Sequence, residues 1–233
     1  MTIGVPQGSI LGPLLFLLFV NDLPTHLDCG VALFADDGKM WGTSDDPYKL
    51  QRNLDRISSW VRDNGMRLNP SKSRVIPFKS LAGNTYTLDG VSIPISHQEI
   101  DLGSVICSSL SFSPNCREMS LRANRALNPL LCNLGRFHKR SFHRLYTSYV
   151  RTHLELNIQA CTPVLQKDRQ LLESVQRRAT KRVKGLASKS YTDRLKELDL
   201  YSLAFRRLRG DMILTHRILN DPSHPNRELL KLR

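Results

Sequence analysis

Residues 10–20, ILGPLLFLLFV, present no polar side chain, and no other stretch limits the fold so strongly. Such a run must be buried, either in a bilayer or in a protein core. It falls short of the roughly 20 apolar residues a membrane helix needs, and Gly12-Pro13 interrupts it. The first basic residue of the chain is Lys39, so the positive region of an export signal is missing. A core helix is therefore predicted, with Pro13 in its first turn, Leu14 to Leu23 continuing it and Pro24 ending it. Being apolar on nearly every side, it must be covered on nearly every side.

The next segment, VALFADDGKMWG (31–42), reads as a β-hairpin whose tight turn is Asp37-Gly38. Asp36 and Asp37 pose a physical problem, because adjacent carboxylates repel and an apolar neighbourhood raises the cost. Either they occupy a solvated turn, for which Asp-Asp-Gly is well suited, or a cation sits between them. Hard divalent ions take oxygen ligands, and Mg²⁺ is commonly held by a few carboxylates plus substrate phosphates. In two-metal phosphoryl transfer one ion activates the attacking hydroxyl and the other steadies the leaving oxygen.

Further along, Leu50, Leu54, Ile57 and Trp60/Val61 predict a helix over 46–64 that starts at Asp46-Pro47. Short strands follow at 66–69, 73–78, 86–90, 91–95 and 100–106, which makes this half mixed α/β. From about Asn115 the period is helical. Met119, Ala123, Leu127 and Leu130/Leu131 mark one helix, which Pro129 should kink or divide. Phe142, Leu145/Tyr146, Tyr149 and Leu154 mark a second. Leu171/Leu172, Val175, Ala179 and Val183 mark a third, ended by Gly185; Leu203, Leu208, Met212 and Leu219 mark a fourth, weakened by Gly210.

Charge changes where the period does. Residues 1–105 hold 9 Lys and Arg against 11 Asp and Glu, whereas 106–233 hold 25 against 10, and the whole chain carries +13. An excess of that size points to a polyanion, nucleic acid before an acidic membrane surface; solvated helix faces are the plainer reading. Arg177, Arg178, Lys181, Arg182 and Lys184 form its densest cluster, readable as phosphate contacts, as a nuclear-localisation run or as a solvated face. The five cysteines are odd in number and form no C-x-x-C, which disfavours a zinc site or a disulfide framework and makes a reducing compartment the default.

GVPQGSILGPLLFLLFVNDLP (4–24) followed by LFADDGKMW (33–41) closely resembles the reverse transcriptase domain of non-LTR, LINE-type, jockey-like retrotransposons. MRLNPSKSRVIPF, DLGSVICSSLSF, LYTSYVRTHLE, LLESVQRRATKRVKGL and the 191–213 segment continue the likeness in order, so it spans essentially the whole chain. The resemblance implies an α+β fold: part of a polymerase palm, β-hairpins with packed helices over 1–112, then an all-α thumb and helical region over 113–233. It implies an RNA-directed DNA polymerase acting on RNA template, DNA primer and dNTP with two Mg²⁺ ions. Asp36 would be a direct metal ligand and Asp37 a supporting one. Lys72 would protonate the leaving group, although a lysine ending a loop is usually just solvated. Pro6, Gln7, Gly8 and Ser9 would touch template or nucleotide, where small residues permit close backbone approach; simple turn geometry rivals this for the glycines Gly4 and Gly12. Leu102 and Gly103 would shape the primer grip, with a plain strand turn as the rival.

The same resemblance calls for a third catalytic aspartate and the fingers upstream of Gly4, and neither is found in these residues; Asp22 and Asp28 do not match it. The endonuclease domain is likewise missing, Gly38 stands where Thr is usual and Cys161 where Trp is typical. The two-ion site is thus expected to be incomplete, the isolated chain inactive, and the 13–23 helix and one sheet edge uncovered. Two other expectations remain: a non-catalytic nucleic-acid-binding remnant using the basic half, and a gene fragment that never accumulates as folded protein. The role implies nucleus and/or cytoplasm and no membrane partner, and leaves the oligomeric state open.

Overall fold

A computed structural model describes residues 8–43, 46–78 and 85–227. The chain divides into two compact units, Met1–His97 and Gln98–Arg233.

The spine of the first unit is helix α2 (Pro47–Asp63), started as expected by Asp46, whose carboxylate accepts the Lys49 N–H at 3.0 Å. One side of α2 presents Trp60, Val61 and Ile57 to α1 (Leu11–Val20) and to the hairpin β1 (Gly30–Phe34) and β2 (Asp37–Trp41). Its other side presents Leu50 and Leu54 to Tyr86, Leu88 and Ile93 around the small hairpin β3 (Thr87–Leu88) and β4 (Val91–Ser92). Gln51 fastens that second layer: its side chain donates to the Thr87 carbonyl at 3.0 Å and accepts the Thr87 N–H at 2.8 Å. A 3-10 turn, Leu23–His26, joins α1 to β1.

Residues 66–69 and 73–78 depart from expectation in this unit, and of the two expectations for α1, coverage on nearly every side fails while exposure holds. Helix α1 is not covered. Only Gly12 and Val20 are buried, with Phe16 packed beside them at i, i+4, i+8 spacing, while Leu11, Leu14, Leu15, Leu17 and Leu18 are exposed. A single neighbouring layer can cover a single stripe of a helix that is apolar all round. Residues 66–69 form no strand, and 73–78 contribute only the parallel bridge Val75↔Ile95. Asn69 explains both, because its side chain accepts from the Ser71 N–H and hydroxyl and folds NPSKS into a turn.

The second unit is helical apart from the hairpin β5 (Gln98–Asp101) and β6 (Ser104–Cys107), so 100–106 is two strands and a turn rather than one strand. Helix α3 (Ser113–Leu134) packs on α6 (Gln166–Thr180), with α4 (Lys139–Leu145), α5 (Arg151–Leu154), α7 (Tyr191–Glu197) and α8 (Leu203–Asn220) around them. Pro129 neither divides nor ends α3. It is exposed, as is Arg125 one turn before, whose carbonyl Pro129 cannot bond. Between α4 and α5 a π-turn, Tyr146–Val150, is inserted. It lets Phe142, Tyr146, Val150 and Leu154 all face the core, although spacing of four drifts by about 40° per step in an α-helix. Tyr149, expected in the core, is exposed as a result.

Helix α6 ends at Thr180 rather than at Gly185, and Val183 reaches the core through the bridge Phe137↔Val183. Gln176, fully buried at the centre, accepts from the Tyr146 hydroxyl at 2.6 Å and donates to Tyr191 Oη and to the Tyr201 carbonyl. Helix α7 escapes the apolar periodicity; its start is signalled by Ser190, which accepts the Asp193 N–H at 3.2 Å. Of the four residues predicted to mark α8, only Leu203 is buried. No helix among the described residues is long and apolar enough to cross a membrane.

Candidate functional site

The β1–β2 register pairs Val31 with Met40, Leu33 with Gly38 and Phe34 with Asp37, so the turn is Ala35-Asp36 and not Asp37-Gly38. Ala35 supplies the reversal with φ 51°, a left-handed conformation that costs an L-residue roughly 1–2 kcal/mol. Alternation then sorts the side chains. Val31, Leu33 and Met40 are half-buried, with Leu33 against the Trp60 cluster, whereas Ala32, Phe34 and Asp37 lie on the exposed face. Asp36 occupies the tip itself, and both carboxylates are solvent-exposed.

The hairpin is anchored at its base by a residue that periodicity does not single out. Asn53, fully buried on α2, accepts the Asp28 N–H at 3.0 Å and donates to the Asp28 carboxylate and to the Lys49 carbonyl. That bond and the Arg56 guanidinium at 3.2 Å hold the Asp28 carboxyl below its usual range. Trp60 Nε1 donates to Asp22 at 3.3 Å, so α2 grips the connector at both ends. Gly30 makes room for a side chain: a Cβ there would lie 2.2 Å from the Trp41 ring that covers it, so a larger residue would displace that ring.

Other predicted site residues fall around this frame. Pro6 and Gln7 lie outside the described residues. Gly8, at φ 83°, makes an exposed turn with open space where a Cβ would be, so backbone conformation demands glycine there. Ser9 Oγ accepts the Gly12 N–H at 3.0 Å and caps α1. Lys72 is exposed in the Asn69 turn. Among the described residues, no group of three or more His, Cys, Asp or Glu side chains could hold a metal.

In the second unit, Leu102 and Gly103 form the β5–β6 turn with φ 44° and 84°, the pattern of a tight hairpin with two left-handed residues. Two side chains missed at the sequence level clamp it. Arg122 Nη1 donates to the Gly103 carbonyl at 2.8 Å, and Asn157 Nδ2 donates to the Leu102 carbonyl at 3.2 Å and to Ser104 Oγ at 2.6 Å. Glu118, one turn earlier on α3, orients Arg122 at 2.8 Å. The polar residue at i+4 of Glu118 was the available signal.

The basic cluster divides in two. Arg178 donates to Asn124 at 2.9 Å and to Asn128, tying α6 to α3, and the Arg177 guanidinium lies 4.2 Å from the Tyr191 ring centre. Lys181, Arg182 and Lys184 follow the helix end and are exposed, with Lys184 Nζ 3.2 Å from His138 Nε2. All five sit where the negative end of the α6 dipole favours cations.

Comparison with known proteins finds similarity along part of the chain. The family described as reverse transcriptase (RNA-dependent DNA polymerase) matches residues 2–92, the segment that contains α1, the acidic hairpin and α2. In Drosophila melanogaster, the RNA-directed DNA polymerase from mobile element jockey is 33% identical over 127 residues, covering 47% of this chain and 14% of its own length. The probable RNA-directed DNA polymerases from transposons BS and X-element are 30% and 31% identical, covering 58% and 51% of this chain and 17% and 14% of their own lengths. Residues 2–92 are thus similar to the reverse transcriptase family. The chain spans about a seventh of the length of these curated relatives, and no solved structure matches it significantly.

Proposed function

We propose that these residues serve an RNA-directed DNA polymerase that extends a DNA primer on an RNA template by Mg²⁺-dependent nucleotidyl transfer from dNTP. The observation that carries this reading is the adjacent Asp36-Asp37 pair at a hairpin tip, inside the segment that matches the family. Two exposed carboxylates suit a hard divalent ion as donors, and their exposure leaves room for phosphate oxygens to complete the shell. When bound, the ions would activate the primer hydroxyl and steady the leaving pyrophosphate. Asp36, at the tip, is the direct ligand, and Asp37 supports it from the outer face. Lys72 hands a proton to the leaving group. Pro6, Gln7, Gly8 and Ser9 border template and nucleotide, and Leu102 and Gly103, clamped by Arg122 and Asn157, grip the primer end.

In this reading residues 1–112 belong to the palm and 113–233 to the thumb and beyond, and the protein acts in the nucleus and/or cytoplasm. Two carboxylates hold two ions too loosely for turnover, so these 233 residues by themselves bind hybrid without extending it. Primer extension with Mg²⁺ on an RNA template tests this. The expected result is binding without synthesis; robust synthesis abolished by Asp36→Ala would overturn the inactivity and keep the polymerase reading.

A second reading, non-catalytic nucleic-acid binding, is favoured by one observation: residues 98–233 hold 25 Lys and Arg against 12 Asp and Glu, a net of +13. It predicts that hybrid affinity is indifferent to dNTP and to Asp36→Asn, and that Mg²⁺ acts only as added salt that weakens it. The polymerase reading predicts that Mg²⁺ with dNTP tightens binding only when Asp36 is present.

A further inference from the structure

Helix α8 is apolar on two opposite sides. Leu203, Leu214 and Ile218, with the buried Arg207, face the unit's interior. Phe205, Leu208, Met212 and Leu219 form a second stripe about half a helical turn away, by the 100° step of an α-helix. That stripe is solvent-facing; Leu208 and Met212 are 59% and 65% exposed. Phe205, Leu208 and Met212 of that stripe, with Ile213, line a shallow concavity of about 370 Å³, bordered by Arg209, His216 and Arg217. Contiguous apolar surface rimmed by charge marks an interaction site.

We propose that this outer face of α8 docks an acidic amphipathic helix of a protein partner. Positions 205, 208, 212 and 219 repeat at the three- and four-residue spacing by which one helix seats on another. The rim sets the partner's charge: Asp211 is the sole acid among the eighteen residues of α8, and it lies towards the buried side. A second copy of this chain fits worse, because antiparallel pairing centred on Met212 would bring Arg209 of each helix against His216 of the other. Nucleic acid also fits worse. Leu208, Met212 and Ile213 offer no ring for a base to stack on, and Phe205 is already stacked on Tyr201 with ring centres 4.8 Å apart.

Fluorescence anisotropy on the full chain tests the proposal with two synthetic helical peptides. They share one leucine stripe at i, i+3, i+4 and i+7; one is flanked by Glu and the other by Lys. The Glu peptide is expected to bind at least about tenfold more tightly, and to lose about tenfold with Leu208→Ser or Met212→Ser, which are too exposed to disturb the fold. Arg209→Glu is expected to invert the preference. Equal binding of the two peptides, or binding insensitive to both Ser variants, would overturn the proposal. So would a dimer that Met212→Ser dissociates, or displacement of the Glu peptide by a single-stranded oligonucleotide on that face.

Discussion

The five basic residues around the end of α6 are equivalent in sequence and unequal in the fold. Arg178 is committed to Asn124 and Asn128, and Arg177 to the face of Tyr191. Lys181, Arg182 and Lys184 are exposed beyond the helix. Each cation that neutralises a duplex phosphate adds about 0.9 to the slope of log affinity against log salt. Changing these last three residues to Ala should therefore lower the slope for an RNA–DNA hybrid by about 2.7. Between 50 and 200 mM salt the unmodified chain should then lose roughly 40-fold more affinity than the triple variant. Arg178→Ala should leave the slope unchanged and instead lower the unfolding free energy by about 1 kcal/mol, the scale of a lost hydrogen bond. Salt-titrated anisotropy and urea unfolding measure the two effects separately. An unchanged slope in the triple variant, or an equal slope change from Arg178→Ala, would refute this division.

Gln176→Leu removes the partners of the buried Tyr146 hydroxyl and the Tyr201 carbonyl, and should cost about 2–4 kcal/mol in urea unfolding. Adding Tyr146→Phe should cost less than it does alone, because the orphaned hydroxyl goes with it. Gly103→Ala forces φ 84° on an L-residue and sets its Cβ 3.1 Å from Leu156, so a loss of about 1–2 kcal/mol is expected in thermal unfolding. Cys116, fully buried, has its thiol pushed up to about 11 by burial. Since the folded value lies above the unfolded one, that contribution is intact below about pH 9 and is lost as pH rises towards 11. Alkaline unfolding of Cys116→Ala should accordingly show a shallower decline over that window.

Strong local signals carried through to the structure, and weak or shared ones did not. Asp46-Pro47 with its apolar stripe gave α2 directly, and the alternation in 31–41 gave the hairpin and its inner face. The turn itself was misplaced by following Asp37-Gly38, because the reversal rests on the strained Ala35, which no propensity favours. Helix α8 shows a different limit. Apolar periodicity finds a helix but cannot say which of two opposite stripes faces the core, and here the buried one includes an arginine, whose positive charge burial disfavours. Asn53 and Asn157 were hidden because their partners are backbone and side-chain groups distant in sequence, with separations that no motif encodes. The position of the carboxylate pair on a hairpin followed from the alternation around it, and its exposure at the tip fits both a solvated turn and a proposed metal site.

The most direct test of the central claim is paramagnetic broadening of backbone amides by Mn²⁺ in the isotopically labelled chain, with and without dNTP. The account predicts broadening centred on Ala35 to Gly38, strengthened by dNTP and abolished by Asp36→Asn. Broadening scattered over other carboxylates, or indifferent to that substitution, would contradict it.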